Sequence, residues 1–220
     1  IGTRSMNVRH AIWMSAVFNF LGVLVMTHIN SSVASTISNM VDFGGETHES
    51  LVALCAALFS IVVYSVGASF FGIPTSESHS LIAGLSGAAI AIHNGIGGIN
   101  MSEWAKVLYG LVLSLALGFA IGWVVCKLVT VICQNMDRRR TNRYFQGAQI
   151  FGAAAMSFMH GAQDGQKFMG VLFLGLAFCN GQSSVSGISI PVWLMLLCSI
   201  VMAVGTSVGG EKIIKSVGMD

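Results

Sequence analysis

Residues 51–80 read LVALCAALFSIVVYSVGASFFGIPTSESHS, and this stretch decides the architecture of the chain. Residues 51–71 carry no charge, and a run of about 20 apolar residues is long enough to cross the hydrocarbon core of a bilayer as a helix. Residues 75–80 then bring hydroxyl groups, a carboxylate and an imidazole together. The stretch therefore predicts a membrane-spanning helix that stops at a polar break.

The composition of the whole chain agrees with a membrane protein. Of its 220 residues 54% are hydrophobic and 9% are charged, and the mean hydropathy is +0.76. A soluble domain usually has about 25% charged residues, so this chain has too little charge to cover its surface in water. The net charge of +2 does not point to a nucleic-acid partner. The five cysteines lack the spacing of metal ligands, and we interpret them as small packing residues.

Four apolar runs predict spanning helices. They are residues 11–27, 51–71, 107–126 and 190–207. Two other segments do not fit a plain span, because residues 80–99 are rich in glycine and residues 144–180 carry MHGAQDGQK in their middle. We expect both to be discontinuous or re-entrant helices, which are tolerated at membrane depth where the broken backbone lines a protein cavity. The predicted fold is an all-α polytopic transmembrane helix bundle.

The distribution of lysine and arginine predicts the orientation of these segments. Basic residues favour the cytoplasmic side, so the arginine-rich residues 134–143 are predicted to be a cytoplasmic loop. By the same rule the first span begins inside, after Arg4 and Arg9, and the last span ends inside, before Lys212 and Lys215. The first span then runs outwards and the last span runs inwards.

The segments that follow these two spans indicate an internal repeat. Residues 30–42 and 206–220 have weakly similar sequences and lie on opposite predicted sides. A unit repeated in opposite orientations is the inverted repeat of many secondary transporters. We therefore divide the chain into residues 1–133, with a first repeat and a connecting transmembrane helix, the loop 134–143, and residues 144–220, with a second repeat; the resemblance described below implies that 1–133 hold the remainder of the first repeat and 144–220 the first part of the second.

Polar residues in the first interruption are candidates for an anion site. Pro74 fits a helix start. The hydroxyls of Thr75, Ser76 and Ser78 then lie beside the free N–H groups of that terminus, a combination that favours an anion. Glu77 does not fit an anion site; it caps the helix, binds a cation or carries a proton.

The second interruption offers groups of the other kind. A charge inside the bundle is costly and usually faces a cavity on a transport pathway, which applies to Asp164 and Lys167. The carboxylate of Asp164 and the carbonyl of Gln163 are oxygen ligands suited to Na⁺ or H⁺, and the two glycines beside them are expected to let the backbone open. Lys167 is a candidate to balance a bound anion, and His160 either titrates or hydrogen-bonds across helices.

Three segments together resemble the inorganic phosphate transporter (PiT) family. GIPTSESHSLIAG is similar to that family's P-x-S-x-T-H-S segment, MHGAQDGQKFMG to its H-G-A-N-D signature, and TRSMNVRHAIWMSAVFNFLG to the stretch after the first copy of that signature. The resemblance implies a multi-pass protein of the plasma membrane that carries phosphate by symport with Na⁺ or H⁺, without a cofactor, through two inverted repeats. It also implies a fragment that begins just after the first signature and ends before the second polar hairpin.

The resemblance carries the family's roles onto individual positions. Ser76, Ser78 and His79 match hydroxyl and histidine positions, and Asp164 matches the signature, whereas Lys167 replaces a common small or amide residue. A substrate site and a cation site are implied. The substrate residues are Thr75, Ser76, Ser78, His79, Gln166 and Lys167. The cation residues are Gln163, Asp164, Glu77 and His160, with no metal other than Na⁺ at Asp164.

Other functions stay open on the sequence alone. A permease for sulfate or another oxyanion fits the same family, and broken helices also occur in passive channels. GLSG at residues 84–87 is similar to the G-x-S-G of rhomboid intramembrane proteases, with Ser86 as nucleophile and His160 or His93 as base. We rank phosphate symport first and the protease last, and so expect a transporter and not an enzyme. The expected partners are inorganic phosphate and the lipid bilayer. The sequence leaves the oligomeric state open, and a homo-oligomer is one alternative.

Overall fold

The computed structural model of the chain describes residues 3, 5–44, 47–73, 75–181 and 190–218, leaving out the side chains at 138, 140 and 209–218. This part of the chain is all-α, as the sequence predicts. Its seven helices are α1 (Val8–Ile29), α2 (Ser32–Ser38), α3 (Thr47–Phe71), α4 (Glu77–His93), α5 (Met101–Cys133), α6 (Arg138–Cys179) and α7 (Val192–Gly218). A 3₁₀ turn at Ile96–Gly98 lies between α4 and α5.

Three of the described helices, α1, α3 and α5, are long and apolar enough to cross a membrane. They contain the first three predicted spans. The fourth predicted span corresponds to α7, which begins directly after Pro191 and whose apolar part, Val192–Val208, is shorter. The large apolar side chains on the outer faces of these helices are exposed, as expected of a surface that faces lipid.

The predicted interruption within residues 144–180 is wrong. α6 runs without a break for 42 residues, which corresponds to about 63 Å. The reason lies in Gly161 and Gly165, which keep the helical conformation and serve close packing. A Cβ at Gly161 would collide with the backbone of Asn19, and a Cβ at Gly165 with the side chain of Val23. The same helix also begins at Arg138, so residues 138–143 of the predicted loop form its first turns.

α1 and α6 run parallel and contact each other along the row that contains Gly161 and Gly165. Ser157, near the middle of α6, donates to Ser15 in the first half of α1, and the contact of Gly165 with Val23 follows farther along both helices. α7 packs against α1 and α6 and runs antiparallel to them. Thr206, in the later part of α7, lies beside Asn19, whereas the earlier part of α7 lies beside the later part of α6. These relative directions agree with those predicted for the first and last spans, and their assignment to the two sides of the membrane stays a prediction.

α3 and α4 form an antiparallel hairpin whose tip contains the polar break. Near the tip Ser65 donates to Glu77. At the open end His93 contacts the Asp42 carbonyl at 2.9 Å, so the hairpin enters and leaves at one end of the bundle. α4 has 17 residues, about 26 Å, which is shorter than the hydrocarbon core of about 30 Å. Pro74 lies outside the described residues, and α4 begins after it, at Glu77.

Beyond its first turns, α5 stands apart from the other described helices. Small residues recur every four positions on it, a pattern that predicts close helix packing; they are Gly110, Ser114, Gly118 and Gly122. None of the residues of α5 is fully buried, and apart from the neighbouring backbone of α5 itself no atom of the described residues lies within 4 Å of a Cβ placed at Gly110, Gly118 or Gly122. The predicted packing face is therefore open among the described residues.

Candidate functional site

The tip of the α3–α4 hairpin meets the middle of α6 in a group of three polar side chains, Ser78, Asp164 and Lys167, called here the hairpin-tip cluster. Lys167 Nζ lies 2.8 Å from Asp164 Oδ1 and 2.5 Å from Ser78 Oγ, and Ser78 Oγ lies 3.1 Å from the same carboxylate oxygen. The side chains of Asp164 and Lys167 are only 17% and 19% exposed. Charge-assisted hydrogen bonds of this kind are stronger than neutral ones, so the cluster fastens the hairpin to α6.

The polar network continues from the other oxygen of Asp164 towards α1. His160 Nε2 lies 3.1 Å from Asp164 Oδ2, and His160 Nδ1 lies 3.2 Å from Asn19 Oδ1. Asn19 is only 2% exposed and donates from its amide to Thr206 Oγ1 at 3.1 Å. One buried amide thus joins α1, α6 and α7, and both oxygens of the Asp164 carboxylate have partners within the protein.

Helical spacing explains why these side chains meet. Residues four and three apart on a helix share a face, which brings His160, Asp164 and Lys167 into one row on α6. On α4, Ser76 is the N-cap and its hydroxyl accepts from the backbone N–H of His79 at 3.4 Å. Ser78 therefore stands in the first helical turn, where it reaches α6.

Other residues of the predicted cation site lie apart from the cluster. Gln163 is exposed, and among the described contacts it makes no hydrogen bond to the cluster. Glu77 is also exposed and accepts from the Ser65 hydroxyl at 3.2 Å. Its position in the first turn of α4 favours a carboxylate, because the N-terminus of a helix carries partial positive charge. Ser76 is the N-cap of this helix, and the three roles open for Glu77 stay predictions.

The predicted substrate residues divide into separate groups. Thr75, Ser76 and His79 line an open cleft of about 670 Å³ on one face of the hairpin, together with Tyr64. Ser78 does not line this cleft, since its hydroxyl points to α6. Hydroxyl groups that are neighbours in the sequence thus lie on two different surfaces of the hairpin, one at the cleft and one against α6.

Gln166 faces α1 and not the hairpin. Its side chain is buried, and its amide nitrogen donates to the Asn30 carbonyl at 2.9 Å. Its carbonyl oxygen is buried without a hydrogen-bond partner in the described part of the chain, and so is the hydroxyl of Thr27 on α1. Unpaired buried oxygens are rare in proteins. These two oxygens, where α1 contacts α6, are therefore able to form further hydrogen bonds.

Asn19 is the residue of the network that the sequence patterns miss. It lies in an apolar run, residues 11–27, whose pattern predicts only a spanning helix. The signal available in the sequence is the amide itself, because a polar side chain within a span usually bonds to a neighbouring helix.

The protease site considered from GLSG is not formed. Ser86 is 6% exposed, and its hydroxyl accepts from Trp104 Nε1 at 3.2 Å. The two candidate bases have other partners, since His160 contacts Asn19 and Asp164 and His93 contacts the backbone. Ser86 is a packing residue between α4 and the start of α5. No group of three or more His, Cys, Asp or Glu residues that could hold a metal occurs in the described part of the chain.

Comparison with known proteins identifies the family. The sequence profile of the phosphate transporter family matches residues 1–220. The chain belongs to this family. It is 34% identical over 218 residues to a probable low-affinity inorganic phosphate transporter of Bacillus subtilis (strain 168), and this alignment covers 99% of the chain and 63% of the relative. No solved structure matches the chain.

Proteins of two further bacteria are also similar to the chain. The chain is 32% identical over 220 residues to a probable low-affinity inorganic phosphate transporter of Mycobacterium tuberculosis (strain ATCC 25618 / H37Rv), covering 99% of the chain and 51% of that protein. It is 31% identical over 203 residues to the low-affinity inorganic phosphate transporter PitB of Escherichia coli (strain K12), covering 80% of the chain and 40% of PitB. The chain thus spans between two fifths and two thirds of the length of these relatives.

Family membership and apolar helices together define the class of protein. The chain is part of an integral, multi-pass protein of the plasma membrane. The family is one of transporters and not of enzymes, which agrees with the expectation from the sequence and with the partners found for Ser86.

Proposed function

We propose that the full-length protein moves inorganic phosphate across the plasma membrane by symport with Na⁺ or H⁺. The observation that carries the proposal is the hairpin-tip cluster, an ammonium, a carboxylate and a hydroxyl held together where a helix begins. Charged groups at membrane depth are costly and mark transport pathways. The relatives described as low-affinity inorganic phosphate transporters support phosphate as the anion.

The proposed anion site lies at the beginning of α4. The Ser78 hydroxyl and the N–H groups of the first turn are donors for phosphate oxygens, and the Lys167 ammonium supplies positive charge. The cleft lined by Thr75, Ser76 and His79 is proposed as the approach to this site. Gln166 faces α1, so its proposed contact with substrate belongs to another conformation of the transport cycle.

The proposed cation site centres on Asp164. Its carboxylate and the neighbouring His160 already form one connected group, whereas Gln163 and Glu77 are exposed and join it only after a rearrangement. Binding of the anion and the cation together lowers the net charge that must cross the membrane. The two inverted repeats, divided as in residues 1–133 and 144–220, would then rock against each other to alternate access.

Uptake into proteoliposomes tests this function. The full-length protein is reconstituted, and entry of radiolabelled phosphate is followed with an inward Na⁺ gradient, an inward H⁺ gradient or no gradient, with and without sulfate as competitor. We expect uptake that is driven by one of the gradients and resists sulfate.

Three results contradict the proposal and point elsewhere. Folded protein that takes up sulfate but not phosphate is a permease for another oxyanion. Phosphate entry at the same rate with and without gradients indicates a passive channel. Absence of any anion uptake by folded protein removes the transport assignment altogether.

A further inference from the structure

Lys167 occupies the position in which a coupling cation is expected. Its ammonium lies 2.8 Å from Asp164 Oδ1 and 2.5 Å from Ser78 Oγ. A carboxylate and a hydroxyl are oxygen ligands of the kind that hard metal cations take. The ammonium therefore uses the same pair of oxygens that would otherwise be offered to Na⁺.

The second oxygen of the carboxylate is also engaged. Asp164 Oδ2 lies 3.1 Å from His160 Nε2, so neither oxygen of this carboxylate is free in the structure. A Na⁺ ion that joined Asp164 with Lys167 in place would stand beside an ammonium of the same charge, and less than one fifth of either side chain is exposed to screen that repulsion. The residues present do not fit Na⁺ at Asp164.

We propose that Lys167 acts as a tethered cation at Asp164, in the place of a coupling Na⁺, so that transport by this protein does not depend on Na⁺. The inference rests on the transport function proposed above and removes Na⁺ from its two candidate coupling ions.

A second lysine provides a matched control. Lys106 pairs with Glu103 over the same three-residue spacing, at 2.6 Å, near the start of α5. The Lys106 side chain is 63% exposed, whereas that of Glu103 is 13% exposed. Lys106→Met therefore removes one lysine charge from an acidic neighbour outside the hairpin-tip cluster.

Binding of Na⁺ is measured first, without transport. Thermal unfolding of the purified full-length protein is followed in NaCl and in choline chloride at equal concentrations, since a ligand that binds only the folded state raises the unfolding midpoint. We expect no Na⁺-specific rise for the wild type or Lys106→Met. For Lys167→Met, and for Lys167→Asn if the first variant does not fold, we expect a saturable rise that disappears when Asp164→Asn is added.

Uptake is then compared in the same two salts. Wild-type phosphate uptake is expected to be equal in Na⁺ and in choline, whereas the Lys167 variants are expected to take up phosphate at least about tenfold faster in Na⁺ than in choline. Saturable stabilisation of the wild type by Na⁺ that Asp164→Asn abolishes overturns the inference. So does a folded Lys167 variant that gains no Na⁺ response. Absence of phosphate uptake by the wild type under every gradient refutes the proposed transport function instead, and the binding assay still decides the role of Lys167.

Discussion

Replacing Gly165 by alanine tests the close approach of α6 to α1. A Cβ at this position would lie 2.9 Å from Val23 Cγ1 and 3.1 Å from Val23 Cβ, and closer still to Cγ2. Carbon atoms pack at about 3.5–4.0 Å, so either the helices separate or Val23 leaves its rotamer. Val23 is completely buried and has no open side to turn to. Overpacking of this kind costs about 1–3 kcal/mol.

Helix propensity acts in the opposite direction and reduces this cost. Alanine is more stable than glycine within a helix by about 0.5–1 kcal/mol, which leaves a net loss of up to about 2.5 kcal/mol for Gly165→Ala. A change of 1 kcal/mol shifts the unfolding midpoint by about 2–4 °C for a protein of about 150–250 residues and by less for a longer one, so we expect a decrease of no more than about 10 °C. At Gly152 on the same helix the new Cβ of an alanine meets no atom within 4 Å among the described residues, apart from the neighbouring backbone of α6, and Gly152→Ala should raise the midpoint slightly.

A double-mutant cycle with Val23→Ala identifies the clash. The single Val23→Ala change removes two methyl groups and costs about 1.6 kcal/mol at about 0.8 kcal/mol for each. Because it also removes the atoms that the new Cβ meets, the double variant should be more stable than the sum of the two single changes by about 1–2 kcal/mol. Thermal unfolding of the purified full-length protein in detergent, followed by tryptophan fluorescence, gives all four values.

Two results refute this reasoning. If the changes at residues 23 and 165 add without coupling, the two side chains do not touch. If Gly165→Ala and Gly152→Ala shift the midpoint equally, residue 165 does not face α1, and an interrupted segment at residues 144–180 again becomes the better description of this part of the chain.

Three further predictions concern the polar network and its surroundings. Asp164→Asn is expected to lower gradient-driven phosphate uptake at least about tenfold. The control Asp137→Asn, at the N-cap of α6, keeps uptake near the wild-type rate because asparagine caps a helix equally well. Uptake at the wild-type rate by Asp164→Asn contradicts the proposed cation site. Asn19→Ala leaves its histidine and threonine partners without their shared amide and should cost about 1–3 kcal/mol in the thermal assay, so an unchanged midpoint argues against the network. Ser86→Ala removes the acceptor of the Trp104 indole N–H and should change tryptophan emission while leaving uptake intact, and a loss of uptake would give Ser86 a role that the structure does not assign to it.

The sequence predicts the chemistry of the site better than its arrangement. Ser78, Asp164 and Lys167 all stand out as polar groups in apolar surroundings. Their mutual contact could not be predicted, because Ser78 and Asp164 are 86 positions apart and meet only through the packing of the hairpin on α6. The same limit applies to Asn19, whose partners on α6 and α7 are distant in the chain.

Glycine shows most clearly where sequence reasoning stops. A glycine in an apolar segment permits an open backbone, and it equally permits a close helix contact. The sequence is the same in both cases, and the atoms opposite Gly161 and Gly165 decide between them. In this protein those atoms belong to Asn19 and Val23, so the backbone stays helical.

The sequence by itself determined that this chain is helical and lies in a membrane, where the hairpin breaks, and which side chains bear charge within the bundle. These properties follow from local composition and apolar run length, because lipid excludes charge and leaves only a helix or a closed barrel to satisfy the backbone. Tertiary structure alone decided that α6 is continuous, that Asn19 joins three helices, and that Lys167 pairs with Asp164 and Ser78. Each of these depends on which surface a helix presents to its neighbour, and that is set by the packing of segments far apart in the chain.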